Sequence, residues 1–257
     1  MVLPDRRPGA NPPGGGAGFR RSWLLVPASN PHAIEQAAKA EADVVVLDLV
    51  ELVAEKDKPA ARQAVRGAIE VLRARGSEVF VQTGPEFCGA DLEASVWSGL
   101  SGIVMSRVER AEEVAEAAAL IDCFETEREM TAGGVGIVAA LETAKGNHAA
   151  HDIVHSSHRI CGATLGRADL IMDLRPEPTG EIHMMPYLMQ RLVIVAGTAG
   201  VPPIGAWWRA PDRGLLATLD NTYAAAARGR AIGFKGAMCL RPDQVSALNR
   251  AYGAARP

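Results

Sequence analysis

DVVVLDLVELVAEKDKPAAR, residues 43–62, decides the reading of the fold. Its first seven residues form an almost unbroken aliphatic run, whereas from 57 to 75 apolar side chains recur at helical spacing. A strand with one wet face alternates apolar and polar residues; a run that does not alternate is covered on both faces, as parallel strands flanked by helices are. The stretch therefore predicts a strand, a loop and a helix, one βα repeat of an α/β protein. Outward from it the same unit recurs. Strands are expected at SWLLVPA (22–28), EVFVQT (78–83), GIVMS (102–106), VGIVAAL (135–141) and ICGATLG (160–166), with weaker ones near 201–206 and 236–240. A further helical segment spans 111–127. Eight strands fit a closed (β/α)8 TIM barrel. An open doubly wound sheet would share the alternation, but no GxGxxG follows the first strand and no phosphate-binding P-loop is present.

The bulk numbers agree with one barrel domain. The chain has 257 residues, 48% of them hydrophobic, enough for a single large core. Its formal charge is only -3, with basic residues interleaved among acidic ones, so neither nucleic acid nor an anionic membrane surface is an expected partner. Cys88, Cys123, Cys161 and Cys239 make no CxxC pair and no zinc spacing, and are expected as reduced core thiols. No apolar run is long enough to span a bilayer and the N-terminus has no secretory signal, so a cytoplasmic protein is expected. Residues 1–19, rich in Gly, Pro and Arg, read as a disordered leader, with the barrel over 20–257.

In a barrel of this kind the active site lies at the C-terminal ends of the strands, where the βα loops converge. The residues that end the strands are Asp48 and Glu51, Gln82, Arg107, Glu142 and Asp169. Carboxylates crowded into a low-dielectric cleft repel one another unless one is protonated or a cation neutralises them. Mg2+, which takes one or two protein carboxylates and keeps positions open for substrate oxygens, suits Glu142 and Asp169, with Mn2+ as an alternative. The competing reading of both acids is helix N-terminal capping.

Five words in order carry a resemblance: RRSWLLVPA (20–28), DVVVLDLVELVAEKDKPAAR (43–62), AALETAKG (139–146), LGRADLIMDL (165–174) and IGFKGAMCLRPDQV (232–245). Together they resemble the citrate lyase beta-subunit-like branch of the HpcH/HpaI aldolase family. The resemblance implies a (β/α)8 barrel assembled as a homotrimer or hexamer. It also implies a carbon–carbon lyase or aldolase acting on citryl- or malyl-type acyl-CoA esters or related hydroxy and oxo acids. By the same resemblance Glu142 and Asp169 match the family's Mg2+ ligands, and Asp48 its acid at the end of the second strand. There Asp48 would orient a metal water or move a proton, its alternative being a buried hydrogen-bonding role.

This chain also departs from the family pattern. Val50 and Glu51 follow Leu49 where the family reads Glu-Asp, so Glu51 is a longer second acid. Gln82 stands where the family has a carboxylate-clamping Arg, which a neutral amide cannot replace. Ser106 and Arg107 replace a Pro-Lys pair, leaving Arg107 to take over anion binding and a share of catalysis. Ala237 replaces a Lys, with Lys235 as a possible substitute two residues earlier, and Arg241 and Gly205 replace a His or Asn and an Asp. The chain ends soon after the last predicted helix, so no C-terminal lid domain is expected.

Trp207 and Trp208 follow the seventh strand, and Trp207 is the expected wall of the substrate pocket. His148, His151, His155 and His158 fall along a helical stripe, a spacing that suits a borderline metal, but on the outside of a barrel they read as a solvated face. Beside the lyase, two other functions fit the replacements: changed chemistry on the same metal, such as a thioester hydrolase or a bond-forming enzyme, and a catalytically silent metabolite-binding barrel.

Overall fold

The computed structural model describes residues 20–166, 174, 178–205 and 219–253. Its strands are β1 (Ser22–Pro27), β2 (Val44–Asp48), β3 (Glu78–Thr83), β4 (Gly102–Met105), β5 (Gly136–Ala140), β6 (Ile160–Thr164), β7 (Pro203–Gly205) and β8 (Gly236–Cys239). They pair in sequence order, all parallel, and β8 returns to β1, closing the barrel. Every strand expected from the sequence is present, most ending one or two residues short of the apolar run.

The helices are α1 (Pro31–Ala37), α2 (Lys58–Arg73), α3 (Cys88–Ser95), α4 (Ala111–Glu127), α5 (Ala144–His148), α6 (Ala150–His155), α7 (Pro178–Thr198), α8 (Leu219–Ile232) and α9 (Gln244–Gly253). Helix α2 shows how the outer layer forms. Ala61, Val65, Ala68, Ile69 and Leu72 lie on one face, as 3.6-residue periodicity requires, and are buried in the core shared with Val45, Leu47, Val79 and Val81 of the sheet. Alternate strand residues point the other way. Trp23, Leu25, Val44, Val46, Phe80, Val104, Val138, Ala140 and Met238 form a second, separate cluster that fills the barrel.

A glycine makes room for that filling. Gly102 and Gly136 are paired across β4 and β5, and a Cβ on Gly102 would lie 2.3 Å from the Phe80 ring. The missing side chain of Gly102 admits the ring, which meets Trp23 edge-on at 4.8 Å.

The N-terminal end of the barrel is closed by charge pairs. Arg20 bonds Glu78 at 2.7 Å and Arg21 bonds Asp43 at 2.8 Å. Arg159, completely buried ahead of β6, donates to Glu125, Asp122 and the Val135 carbonyl. Glu125 in turn accepts from the amides of Gly133 and Val135 at 2.8 Å each, fixing the turn that enters β5.

Three details differ from the sequence reading. The histidine stripe is broken, because the chain leaves helical geometry at Ala149 between α5 and α6 and His158 lies past the end of α6. Only His151 and His155 stack, at 4.4 Å, on the outer surface. Cys123 is exposed rather than a core residue, since it falls on the wet side of α4; all four cysteines are free. Lys235 precedes β8 and is exposed at the N-terminal end, while Ala237 packs outward into the helix layer, so Lys235 cannot supply charge at the mouth. Among the described residues no helix is long and apolar enough to cross a membrane. The proposed leader, 1–19, lies outside the described residues.

Candidate active site at the barrel mouth

Period-two alternation, counted up from the inner cluster, identifies which side chains face the mouth. From Val46 the next inward position is Asp48; from Phe80 it is Gln82; from Val104, Ser106; and from Ala140, Glu142. On β6, the register shift between Ile137 and Val138 brings Gly162, Thr164 and Gly166 inward, in step with Val138 and Ala140. The mouth is therefore lined in order by β2 through β6.

Asp48 is fully buried and its carboxylate is engaged by the loop that follows. One oxygen accepts from the amides of Val50 at 2.6 Å and Glu51 at 3.2 Å, and the other from Leu52 at 3.0 Å. Three backbone donors satisfy a charge that burial alone would not tolerate. Asp48 thus holds the shape of the β2 loop, the hydrogen-bonding role that the sequence left open. That loop delivers Glu51, whose exposed carboxylate accepts from Gln82 Nε2 at 3.3 Å. Gln82 is 1% exposed, and its Oε1 has no hydrogen-bond partner.

Glu142 is also 1% exposed. It does not cap the following helix: Thr143 does that, its hydroxyl accepting from the Gly146 amide at 3.0 Å. Glu142 is left to turn inward, where one carboxylate oxygen accepts from the Arg107 amide at 3.0 Å. Arg107 achieves this in the left-handed region, φ 52°, a conformation that costs an L residue about 1–2 kcal/mol. On the other side the carboxylate lies over Gly166, where a Cβ would come within 2.4 Å of its Cγ and 2.5 Å of Oε1. The loop behind is equally tight, since a Cβ on Gly146 would sit 2.2 Å from the Val108 carbonyl. Asn147 also donates to the carbonyls of Leu141 and Thr143. Glu142 is thus an anchored carboxylate in a cradle shaped by two glycines.

The hydroxyls of Ser106 and Thr164, on the strands either side of β5, are buried and unpartnered. Alternation along GIVMS and ICGATLG was the available signal for both, but the bulge that turns Thr164 and Gly166 inward has no sequence signature. Arg107 is exposed beyond its amide contact, and Arg241, past the end of β8, is paired with Asp243. Asp169 and Trp207, the other expected metal ligand and the expected pocket wall, lie outside the described residues. Among the described residues no group of three or more His, Cys, Asp or Glu is placed to hold a metal.

Residues 21–242 match the model of the HpcH/HpaI aldolase/citrate lyase family, nearly the whole of the barrel just described. The chain belongs to this family. The citrate lyase subunit beta of Escherichia coli K12 is 27% identical over 238 residues, covering 91% of this chain and 76% of that protein. A (3S)-malyl-CoA thioesterase of Cereibacter sphaeroides is 25% identical over 243 residues, covering 90% and 76%. Among solved structures, a citrate lyase beta subunit from Mycobacterium tuberculosis, complexed with oxaloacetate and magnesium, superposes with a TM-score of 0.70. It is 26% identical, covering 91% of this chain and 97% of that one. Family members are thus lyases or act on CoA thioesters, and this chain shares their barrel.

Proposed function

We propose that this family member is a Mg2+-dependent carbon–carbon lyase or aldolase acting on a citryl- or malyl-type acyl-CoA ester or a related hydroxy or oxo acid. The observation that carries the reading is Glu142: a buried carboxylate, at the mouth, pinned by the Arg107 amide and given its space by Gly166. Oxygen donors flank it, with Ser106 and Thr164 at the ends of the strands on either side, and hard oxygen donors suit Mg2+ rather than a softer ion. Glu142 and, by its place in the family word, Asp169 would hold the ion. Bound there, it would polarise substrate carboxylate and carbonyl oxygens as a Lewis acid.

The chain's own residues do the rest. The left-handed turn at Arg107 aims its amide at Glu142 and projects the guanidinium from the rim, where it meets an anionic substrate group. Asp48 fixes the β2 loop so that Glu51 reaches the mouth, and Glu51, exposed and held by Gln82, is the group positioned to take a proton from a substrate hydroxyl. Trp207 would wall the pocket, and a homotrimer or hexamer in the cytoplasm would be the working form.

Thermal denaturation with and without Mg2+ or Mn2+ tests the site. A stabilising shift in the wild type that disappears in Glu142→Gln supports it, together with a loss of turnover of about 10²–10³-fold. A shift that survives both Glu142→Gln and Asp169→Asn refutes the assignment. The likeness to a malyl-CoA thioesterase favours a second reading, hydrolysis at the same centre. Product analysis separates them, because hydrolysis frees the thiol and leaves the carbon skeleton whole.

A further inference from the structure

Gln82 presents a feature that the reaction class does not explain. Its side chain is buried at the end of β3, directly paired with Asp48 of β2, and its nitrogen donates to the Glu51 carboxylate at 3.3 Å. A carboxylate can only accept, so the amide nitrogen must face Glu51, and this fixes Oε1 on the opposite side. That oxygen is buried with no partner. Buried acceptors are almost always paired, and one that is not calls for a reason. The Ser106 hydroxyl on the next strand is in the same state, and so is that of Thr164 across Glu142.

We infer that the substrate brings a hydroxyl, rather than a second carboxylate, to the β3 side of the mouth, and that Gln82 Oε1 recognises it. The inference rests on the reading that the substrate's other end is held at Glu142. Gln82 and Glu142 stand two strands apart, about 10 Å at normal sheet spacing, which a four- or five-carbon acid spans. A hydroxyl there donates to Gln82 Oε1 and accepts from Ser106, using both of its capacities. A carboxylate there would set one acceptor against another, since neither an amide oxygen nor an ionised carboxylate has a proton to give. Gln82 is thus a specificity-determining residue, reading a donor and rejecting an anion.

Three 2-oxo acids test this by titration calorimetry on the full chain with Mg2+: pyruvate, which stops short of the β3 side, and the four-carbon 4-hydroxy-2-oxobutanoate and oxaloacetate, which reach it with a hydroxyl and a carboxylate. The hydroxy acid is expected to bind wild type about tenfold more tightly than either of the others, the worth of one well-made buried hydrogen bond. Gln82→Met, of similar volume and without the acceptor, should erase that advantage, so that the hydroxy acid and pyruvate bind the variant equally. Ser106→Ala, a smaller change for the fold, should lose part of it, about threefold. A wild-type preference for oxaloacetate, equal affinities for all three, or an advantage that persists in Gln82→Met overturns the inference. So does failure of all three to bind. The proposed metal chemistry is judged separately, by the Mg2+-induced thermal shift and its loss in Glu142→Gln, which needs no organic ligand.

Discussion

At the N-terminal end of the barrel cations meet carboxylates: Arg20 on Glu78, Arg21 on Asp43, and the buried Arg159 on Glu125 and Asp122. At the mouth the polar groups are treated differently. Asp48 is satisfied by backbone amides, whereas Gln82, Ser106 and Thr164 keep buried oxygens unpaired. One end uses its charges to close the fold; the other leaves buried oxygens unpaired. That is the division between stability and chemistry that a barrel's two faces allow.

The largest effect should come from breaking the closed end. Arg159→Met strips the cation from Glu125 and is expected to lower stability by about 3–5 kcal/mol in urea denaturation at neutral pH, because a buried carboxylate is left uncompensated. Burial pushes the Glu125 carboxyl up, but Arg159 and the amides of Val135 and Gly133 outweigh it and hold it below the ordinary carboxylate range. A depressed carboxyl stabilises the fold above its unfolded pKa, and that contribution is lost as pH falls through the folded value. The acid limb of the stability curve should therefore flatten in Arg159→Met. Unchanged stability would show that the closed end is not held by charge.

At the mouth the expected effects on stability are smaller and those on binding larger. Gly166→Ala places a methyl where Glu142 Cγ and Oε1 now lie and should cost about 1–3 kcal/mol by overpacking. Its clearer sign is a reduced Mg2+-induced thermal shift, since the carboxylate must move. An undiminished shift would mean that the cradle does not position Glu142 for a metal.

Arg107→Gly sharpens the contrast from the opposite direction. Relief of about 1–2 kcal/mol of left-handed strain, offset by about 0.5–1 kcal/mol of glycine entropy, should leave stability level or up to about 1.5 kcal/mol higher. Affinity for an anionic substrate should fall at the same time. A stability gain with a KM increase is the signature of a residue kept for function, and a loss of both would make Arg107 structural.

Much of this was legible in the order of residues alone. The barrel followed from apolar runs without alternation separated by helical segments, because burial on both faces leaves that mark on any parallel strand. Glu142 could be singled out because it directly follows such a run, and the words around it identified the family. The histidine spacing misled, since periodicity assumes one continuous helix and cannot register the break at Ala149.

What the chain determined by itself is therefore local and repetitive: which segments are strands, which are helices, and which side chains end the strands. Tertiary structure decided which polar atoms distant in the chain meet. Where the Glu142 carboxylate is anchored and which way the Gln82 amide faces depend on neighbours 30 or more positions away, Arg107 beside Glu142 and Glu51 beside Gln82. A hydrogen bond is set by distance and direction between two specific atoms, and no single-chain pattern carries either.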